Sequence, residues 1–260
     1  SLVLADSKKP TIDVTTTDNS RTPDYTDGDK LWYSSASGIS YKFAVTDMES
    51  GIYEVNASVN GETLSKDKNG NNLYKTNRYD LAIRETDKTY TIGVDNTRLS
   101  ADGSIEIGFG AEDNAGNTSK DKRKIYIDKD NPVISGVLFD THTDSVAIVP
   151  KQYGYFFTKK TDVTVNATDF IGKTSKEGSG VKSVTYSLIP ADGSNTITNT
   201  LEVSQVSGKK ATYSAKFTIP EGFKGQVQIY VTDNVGRNCK VYNPKGVVIE
   251  SKQQHEKTST

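Results

Sequence analysis

The chain has 260 residues, with 32 Lys and Arg against 33 Asp and Glu and a formal net charge of -1. That balance gives no whole-chain attraction to nucleic acid or to an anionic membrane surface, so neither is expected as a partner. No apolar run approaches the roughly 20 residues that span a bilayer, and the lone Cys239 can close no intramolecular disulfide.

The first ten residues, "SLVLADSKKP", are too short for a secretory h-region. From there the chain alternates. In "SYKFAVTD" (40–47) Tyr41, Phe43 and Val45 fall on one face, and in "GSIEIGFGAED" (103–113) Ile105, Ile107 and Phe109 do the same. Period two over five to eight residues, bounded by Gly, Asp and Asn, predicts strands with one buried face. The first half is expected to place them near 10–17, 39–47, 52–60, 62–66 or 73–76, 79–85, 103–112 and 119–128. "NGE" at 60–62 is a hairpin signal, and "ADGS" at 101–104 and 191–194 marks two further turns. In "DKNGNN" (67–72), Asp67, Asn69 and Asn71 hold the first three ligand positions of a calcium loop. Asn72 stands where that loop needs Gly and Arg78 where it needs a bidentate Glu, so the segment is expected to be a solvated, mobile loop.

The second half repeats the first. Tyr33 and Tyr155 are 122 residues apart, as are Asp47 and Asp169; Asp113 and Asp233 are 120 apart. Ser50-Gly51-Ile52 matches Ser179-Gly180-Val181 once the longer loop "FIGKTSKEG" is allowed for. "GQVQIYVTD" (225–233) alternates like its counterpart. The reading is two copies of one domain, 1–129 and 130–250, followed by a polar tail at 251–260. No window carries a helical stripe. About seven strands per copy fit an all-β fold of two tandem β-sandwich domains with Greek-key antiparallel sheets.

"DNAGN" at 113–117 and "DNVGRN" at 233–238 each follow a strand. Gly116, with Asn114 or Asn117, can adopt positive φ at little cost, and an Asp closing the strand can accept the turn's N–H groups. The Pro-x-Ile starts, the "VTD…SGI" after the second strand and the "DNAGN" after the sixth resemble the bacterial immunoglobulin-like repeats of secreted and cell-surface proteins. The second copy departs at Val235 and Arg237. The resemblance implies immunoglobulin-like sandwiches and secretion or surface display, as adhesin stalks or accessory modules of larger enzymes.

Catalytic motifs are missing from the sequence. There is no His-Glu-x-x-His; His142 lies in "FDTHTDS" without a Gly-x-Ser-x-Gly elbow; "GKTS" at 172–175 lacks the glycine of a phosphate loop. The chain is therefore expected not to be an enzyme. In an immunoglobulin topology Asp128, Asp130 and Asn131 of the linker, Asp169 and Glu177 of one loop and Asp233 of another fall at one end. Converging carboxylates repel unless a cation neutralises them, so these six are the expected calcium ligands. At the matching end of the first copy stand Asp47, Glu49 and Asp113, beside Lys8 and Lys9. Trp32, Tyr33, Tyr153, Tyr155 and Phe156 cluster before the second strand of each copy. Trp32, Tyr33 and Tyr155 are the candidate sugar-stacking residues, against a packing role shared by both copies. The function expected is a non-catalytic secreted or cell-surface module for spacing or adhesion. Its partners would be an extracellular glycan or protein and further domains of a longer chain. The alternative is a carbohydrate-binding or accessory pair in a glycan-active enzyme.

Overall fold

The computed structural model describes residues 5–77, 84–139, 155–157, 160–242 and 247–249. Arg78, His142, Tyr153 and the tail at 251–260 lie outside the described residues. The chain divides into two compact units, Ser1–Asp128 and Lys129–Thr260. Among the described residues there is no helix, and so none long and apolar enough to cross a membrane.

The first unit contains β1 (Thr11–Thr16), β2 (Tyr25–Asp27), β3 (Lys30–Tyr33), β4 (Ser40–Thr46), β5 (Ile52–Val59), β6 (Glu62–Thr63), β7 (Asp87–Gly93), β8 (Ser104–Asp113) and β9 (Thr118–Ile127). They form one sheet of order β1-β4-β7 and a second of order β2-β3-β9-β8-β5-β6. All neighbours are antiparallel except β3 and β9, where Trp32 pairs with Tyr126 and Tyr33 with Ile127. The inner faces share one core, because period-two alternation sends every second apolar side chain to the same side. Phe43 of β4 meets Phe109 of β8 at 4.9 Å between ring centroids, which joins the two sheets. Ile52, Ile92, Ile105, Ile107 and Ile125 close around that pair with no exposed surface.

The second unit contains β10 (Val133–Phe139), β11 (Tyr155–Phe157), β12 (Thr161–Thr168), β13 (Val181–Pro190), β14 (Ile197–Glu202), β15 (Ser204–Gln205), β16 (Thr212–Ile219), β17 (Lys224–Asp233) and β18 (Val247–Ile249). Its sheets run β10-β12-β16-β15 and β11-β18-β17-β13-β14. Once the added edge strands are set aside, this is the order of the first unit: β10-β12-β16 stands for β1-β4-β7, and β11-β18-β17-β13 for β3-β9-β8-β5. The parallel pair recurs between β11 and β18. Tyr186 of β13 stacks on Phe217 of β16 at 3.9 Å, again across the two sheets.

Several elements differ from those expected. β7 spans Asp87–Gly93, a strand that was not anticipated; of the strand expected at 79–85, residues 79–83 lie outside the described residues. Tyr90 and Ile92 alternate inward on β7 and pair with Phe43 and Tyr41 of β4. The hairpin of β2 and β3 was not anticipated; its two strands are only three and four residues long, too short to show a period. In "DKNGNN" Lys68 to Asn72 are exposed, as expected of a solvated loop, but the loop is pinned at its start. Asp67 is buried, its Oδ1 accepts the N–H groups of Asn69 and Asn71 at 2.9 Å, and its Oδ2 accepts that of Thr91. The hairpin at 60–62 is as expected, with Asn60 and Gly61 both at positive φ between β5 and β6.

Candidate functional site

The repeated Asp-Asn-x-Gly phrase builds the same turn in each unit. In the first, Asp113 closes β8, and its Oδ1 accepts the N–H groups of Ala115 at 3.0 Å and Asn117 at 2.8 Å. In the second, Asp233 closes β17 and accepts from Val235 at 3.1 Å and Arg237 at 2.8 Å. The glycines that let the chain reverse stand at φ +91° (Gly116) and +90° (Gly236), the left-handed region open to residues without a Cβ. Both aspartates are fully buried. A buried carboxylate is tolerable only when donors surround it, and a tight turn offers two backbone donors at once.

The Ser-Gly pairs complete the construction. Asn114 donates its amide to the Ser50 carbonyl at 2.9 Å, and Asn234 does the same to Ser179 at 2.8 Å. Gly51 and Gly180 sit at φ +82° and +92° and accept the backbone N–H groups of Asn114 and Asn234. Their N–H groups in turn donate to Asp47 at 2.9 Å and Asp169 at 3.0 Å. Beside each pair the ladder slips by one residue, between Ile52 and Glu54 on β5 and between Val181 and Ser183 on β13. These are matching bulges that aim the loop over the strand end.

In the first unit a third carboxylate joins. Asp6 accepts the N–H of Lys8 at 2.9 Å and both the N–H and the hydroxyl of Ser50. Asn117 ties it further, donating to the Asp6 carbonyl at 3.0 Å and to Asp113 Oδ2 at 2.8 Å. Carboxylate oxygens of Asp6, Asp47 and Asp113 come within 4.8 Å of one another. The Ser50 hydroxyl holds the Asp6 carboxyl well below the usual carboxylate range, with the two backbone donors adding to it. Burial pushes Asp47 up to about 6, and the negative charges of Asp6 and Asp113 push in the same direction. This oxygen set has the hard-ligand chemistry of a divalent-cation site, and the same oxygens are engaged by protein donors. Lys8 Nζ pairs with Glu49, at 3.4 Å.

Of the six residues named as calcium ligands, Asp169 and Asp233 come together, with carboxylate oxygens within 4.8 Å. Glu177 is diverted to the hydroxyl of Tyr213, which donates to it, and Asp130 accepts the N–H of Gly172 at 2.9 Å. Asn131 is exposed. Asp128 closes the first unit, is buried, and donates its N–H to the Tyr33 carbonyl at 2.8 Å. The reading missed Asp6, although the signal was present: Asp6 precedes Asp128 by the same 122 residues that separate Asp47 from Asp169.

Trp32 and Tyr33 are placed differently from what sugar stacking requires. Trp32 is 5% exposed and Tyr33 2% exposed. Trp32 packs on Tyr126 with ring centroids 5.0 Å apart, and burial raises the Tyr33 hydroxyl to about 12. A sugar ring needs an open aromatic face, and neither residue offers one. They are packing residues of the β3–β9 seam, where parallel pairing brings the ring of Trp32 beside that of Tyr126. Tyr155 lies at the matching place, on β11 beside β18.

No protein-family model matches the chain, and no curated protein does. Among solved structures, it is similar to a mixed-linkage glucan utilization locus protein of Bacteroides ovatus, SGBP-B, solved with a mixed-linkage heptasaccharide. That likeness has 16% identity and a TM-score of 0.24, over 94% of this chain and 48% of that one. The chain thus spans about half the length of that protein. It is also similar to the E. coli chaperone DraB, at 9% identity and a TM-score of 0.25, over 91% of this chain and 96% of the other. Superposition at this level says nothing about what the chain binds.

Proposed function

We propose that the chain is a non-catalytic extracellular segment, built of two immunoglobulin-like sandwiches of the bacterial surface-protein type, that spaces or displays a binding surface within a longer polypeptide. The observation that carries this reading is the repeated parallel pairing of an early strand with the last strand of its unit, β3 with β9 and β11 with β18. Tension on the two ends of a unit pulls the start of the early strand one way and the end of the last strand the other. Paired strands loaded so slide against each other, and their hydrogen bonds share the load instead of opening one at a time. The loop construction built on Asp113 and Asp233 supports the same reading, since it knits the chain reversals at one end of each unit with buried hydrogen bonds.

Pulling on single molecules held by their two ends tests it. Two discrete unfolding events are expected, one per unit, at forces well above those that peel a hairpin from its end. Smooth extension without such events would reject the load-bearing reading. An accessory role beside a catalytic domain remains the competing reading. Glycan hydrolysis by the native full-length polypeptide, with this segment needed for activity on insoluble substrate, would favour it.

A further inference from the structure

The outward face of the larger sheet of the first unit carries a trough of about 570 Å³, lined by Asn56, Ser58, Glu106, Gly108, Lys120 and Lys122 among others. Its shape follows from the register. Lys122 stands opposite Gly108 and Lys120 opposite Gly110, so across β8 each lysine faces a position with no side chain. From the other flank the side chains of Asn56 and Ser58 on β5 lie over those two glycines; a Cβ built at Gly110 would fall 2.1 Å from Asn56 Oδ1, and one at Gly108 2.6 Å from Ser58 Oγ.

The polar groups of this trough are unspent. Among the described residues, the side chains of Asn56, Ser58, Lys120 and Lys122 have no hydrogen-bond or ion-pair partner, and Asn56, Lys120 and Lys122 are exposed. Two acids also line it. Asp121 is held by Arg123 at 3.0 Å, Glu106 stands opposite Lys124 in the ladder, and among the described residues neither acid pairs with Lys120 or Lys122. Lys120 and Lys122, with Cα atoms about 6.7 Å apart along the strand, thus present two ammonium groups outside any ion pair, beside an open amide and a hydroxyl. The corresponding face of the second unit contrasts with this. There Thr185 bonds Thr200 at 3.0 Å and Ser187 bonds Thr198 at 2.8 Å, so the hydroxyls satisfy one another.

We propose that this trough binds an acidic saccharide, a chain of sugar rings bearing carboxylates. The assignment rests on the reading of the chain as a displayed binding module and names its ligand class. Lys120 and Lys122 take the carboxylates, while Asn56 and Ser58 take ring hydroxyls. The volume falls in the range of small-ligand sites. Charge complementarity selects an anion. The amide and hydroxyl on a shallow floor select a polyol over other anions. The trough presents no open aromatic face for stacking nucleobases and no apolar rim for insertion into a membrane surface.

The test is calorimetric titration of the full chain with oligogalacturonate, with a neutral oligosaccharide of equal length, with inorganic polyphosphate and with anionic phospholipid vesicles. Oligogalacturonate is expected to bind, more weakly as salt rises, and the neutral chain and the vesicles are not. Because a hydrogen bond to a charged group is worth enough to change affinity about tenfold, the double variant K120A/K122A should bind at least that much more weakly. N56A should weaken binding and leave its salt dependence unchanged. All three side chains are on the surface, so unchanged circular dichroism and melting serve as the folding control. No binding of oligogalacturonate, equal binding by K120A/K122A, or tighter binding of polyphosphate or vesicles would overturn the proposal. If single-molecule pulling still gives two high-force events, the load-bearing reading stands although the trough has failed.

Discussion

Replacing Asp47 with Asn separates the electrostatic cost of the three-carboxylate cluster from its hydrogen bonding. Asp47 accepts the Gly51 N–H through Oδ1 at 2.9 Å, and an amide oxygen at the same place can accept it too. What changes is the charge. The carboxyl is raised from 3.8 to about 6, first by burial and then by the charges of Asp6 and Asp113. A group whose pKa is higher in the folded than in the unfolded state contributes stability below its unfolded pKa, and that contribution is lost as pH rises through the folded one. For Asp47 the window runs from about pH 4 to about pH 6. A shift of this size corresponds to roughly 3 kcal/mol at most, and screening by the solvent that reaches the loops around the buried carboxyl reduces it to about 1 kcal/mol. Above pH 7 Asp47→Asn is therefore expected to stabilise the first unit by ~1 kcal/mol, or ~4 °C in Tm, and below pH 4 the two proteins should melt together. Asp6 has the opposite sign and a different window: its carboxyl is lowered, so its contribution is lost only as pH falls below the ordinary carboxylate range. Glu49, paired with Lys8 at the rim, is common to both proteins. Calorimetric melting from pH 3.5 to 8, in the presence of a chelator, reads the difference. Parallel profiles across that range, or a variant less stable at pH 8, would refute the reasoning.

The calcium expectation is checked by the same melts without chelator: a rise in Tm of wild type on adding calcium, abolished by Asp169→Asn, supports it, and an unchanged Tm removes it. Gly51→Ala and Gly116→Ala compare two left-handed glycines. At Gly116 a Cβ meets nothing within 4 Å, whereas at Gly51 it would fall 2.4 Å from Arg84 Cγ and 3.1 Å from the Glu85 carbonyl oxygen. In urea titrations Gly116→Ala should cost about 1 kcal/mol and Gly51→Ala about 2–3 kcal/mol; equal losses would deny the close approach at Gly51. Phe43→Ala, which removes the ring that bridges the two sheets, is expected to cost roughly 3–5 kcal/mol, and a loss below 1 kcal/mol would contradict the packing described. The fluorescence of Trp32 should be blue-shifted, poorly quenched by iodide and indifferent to polysaccharide, because its ring lies against Tyr126. Burial raises the Cys239 thiol, and its sulfur accepts the Val231 N–H at 3.1 Å, so a thiol reagent at pH 7.5 should react far more slowly than with a free thiol.

The local physics was legible from residue order alone. Period-two alternation put Phe43, Ile105, Ile107 and Phe109 on inner faces. Turn chemistry at Asn60-Gly61 and at Asp113 and Asp233 was legible because an αL glycine and an N–H-accepting carboxylate work over four or five residues, with no help from the rest of the fold. The near-constant offset of about 120 residues announced a second copy with the same strand order. What required the tertiary structure was everything set by pairing across long separations. Residues 87–93 carry Tyr90 and Ile92 at alternate positions, and only register with β4 shows where that stretch pairs. Trp32 reads as a sugar platform until parallel pairing with β9 lays it on Tyr126. Asp6 is an ordinary acid near the start of the chain until Ser50 and Asn117, 44 and 111 residues away, bring it to Asp47 and Asp113. The trough over Gly108 and Gly110 exists because the register of three strands sets two lysines, two glycines and an amide side by side, and no single stretch of sequence contains that arrangement.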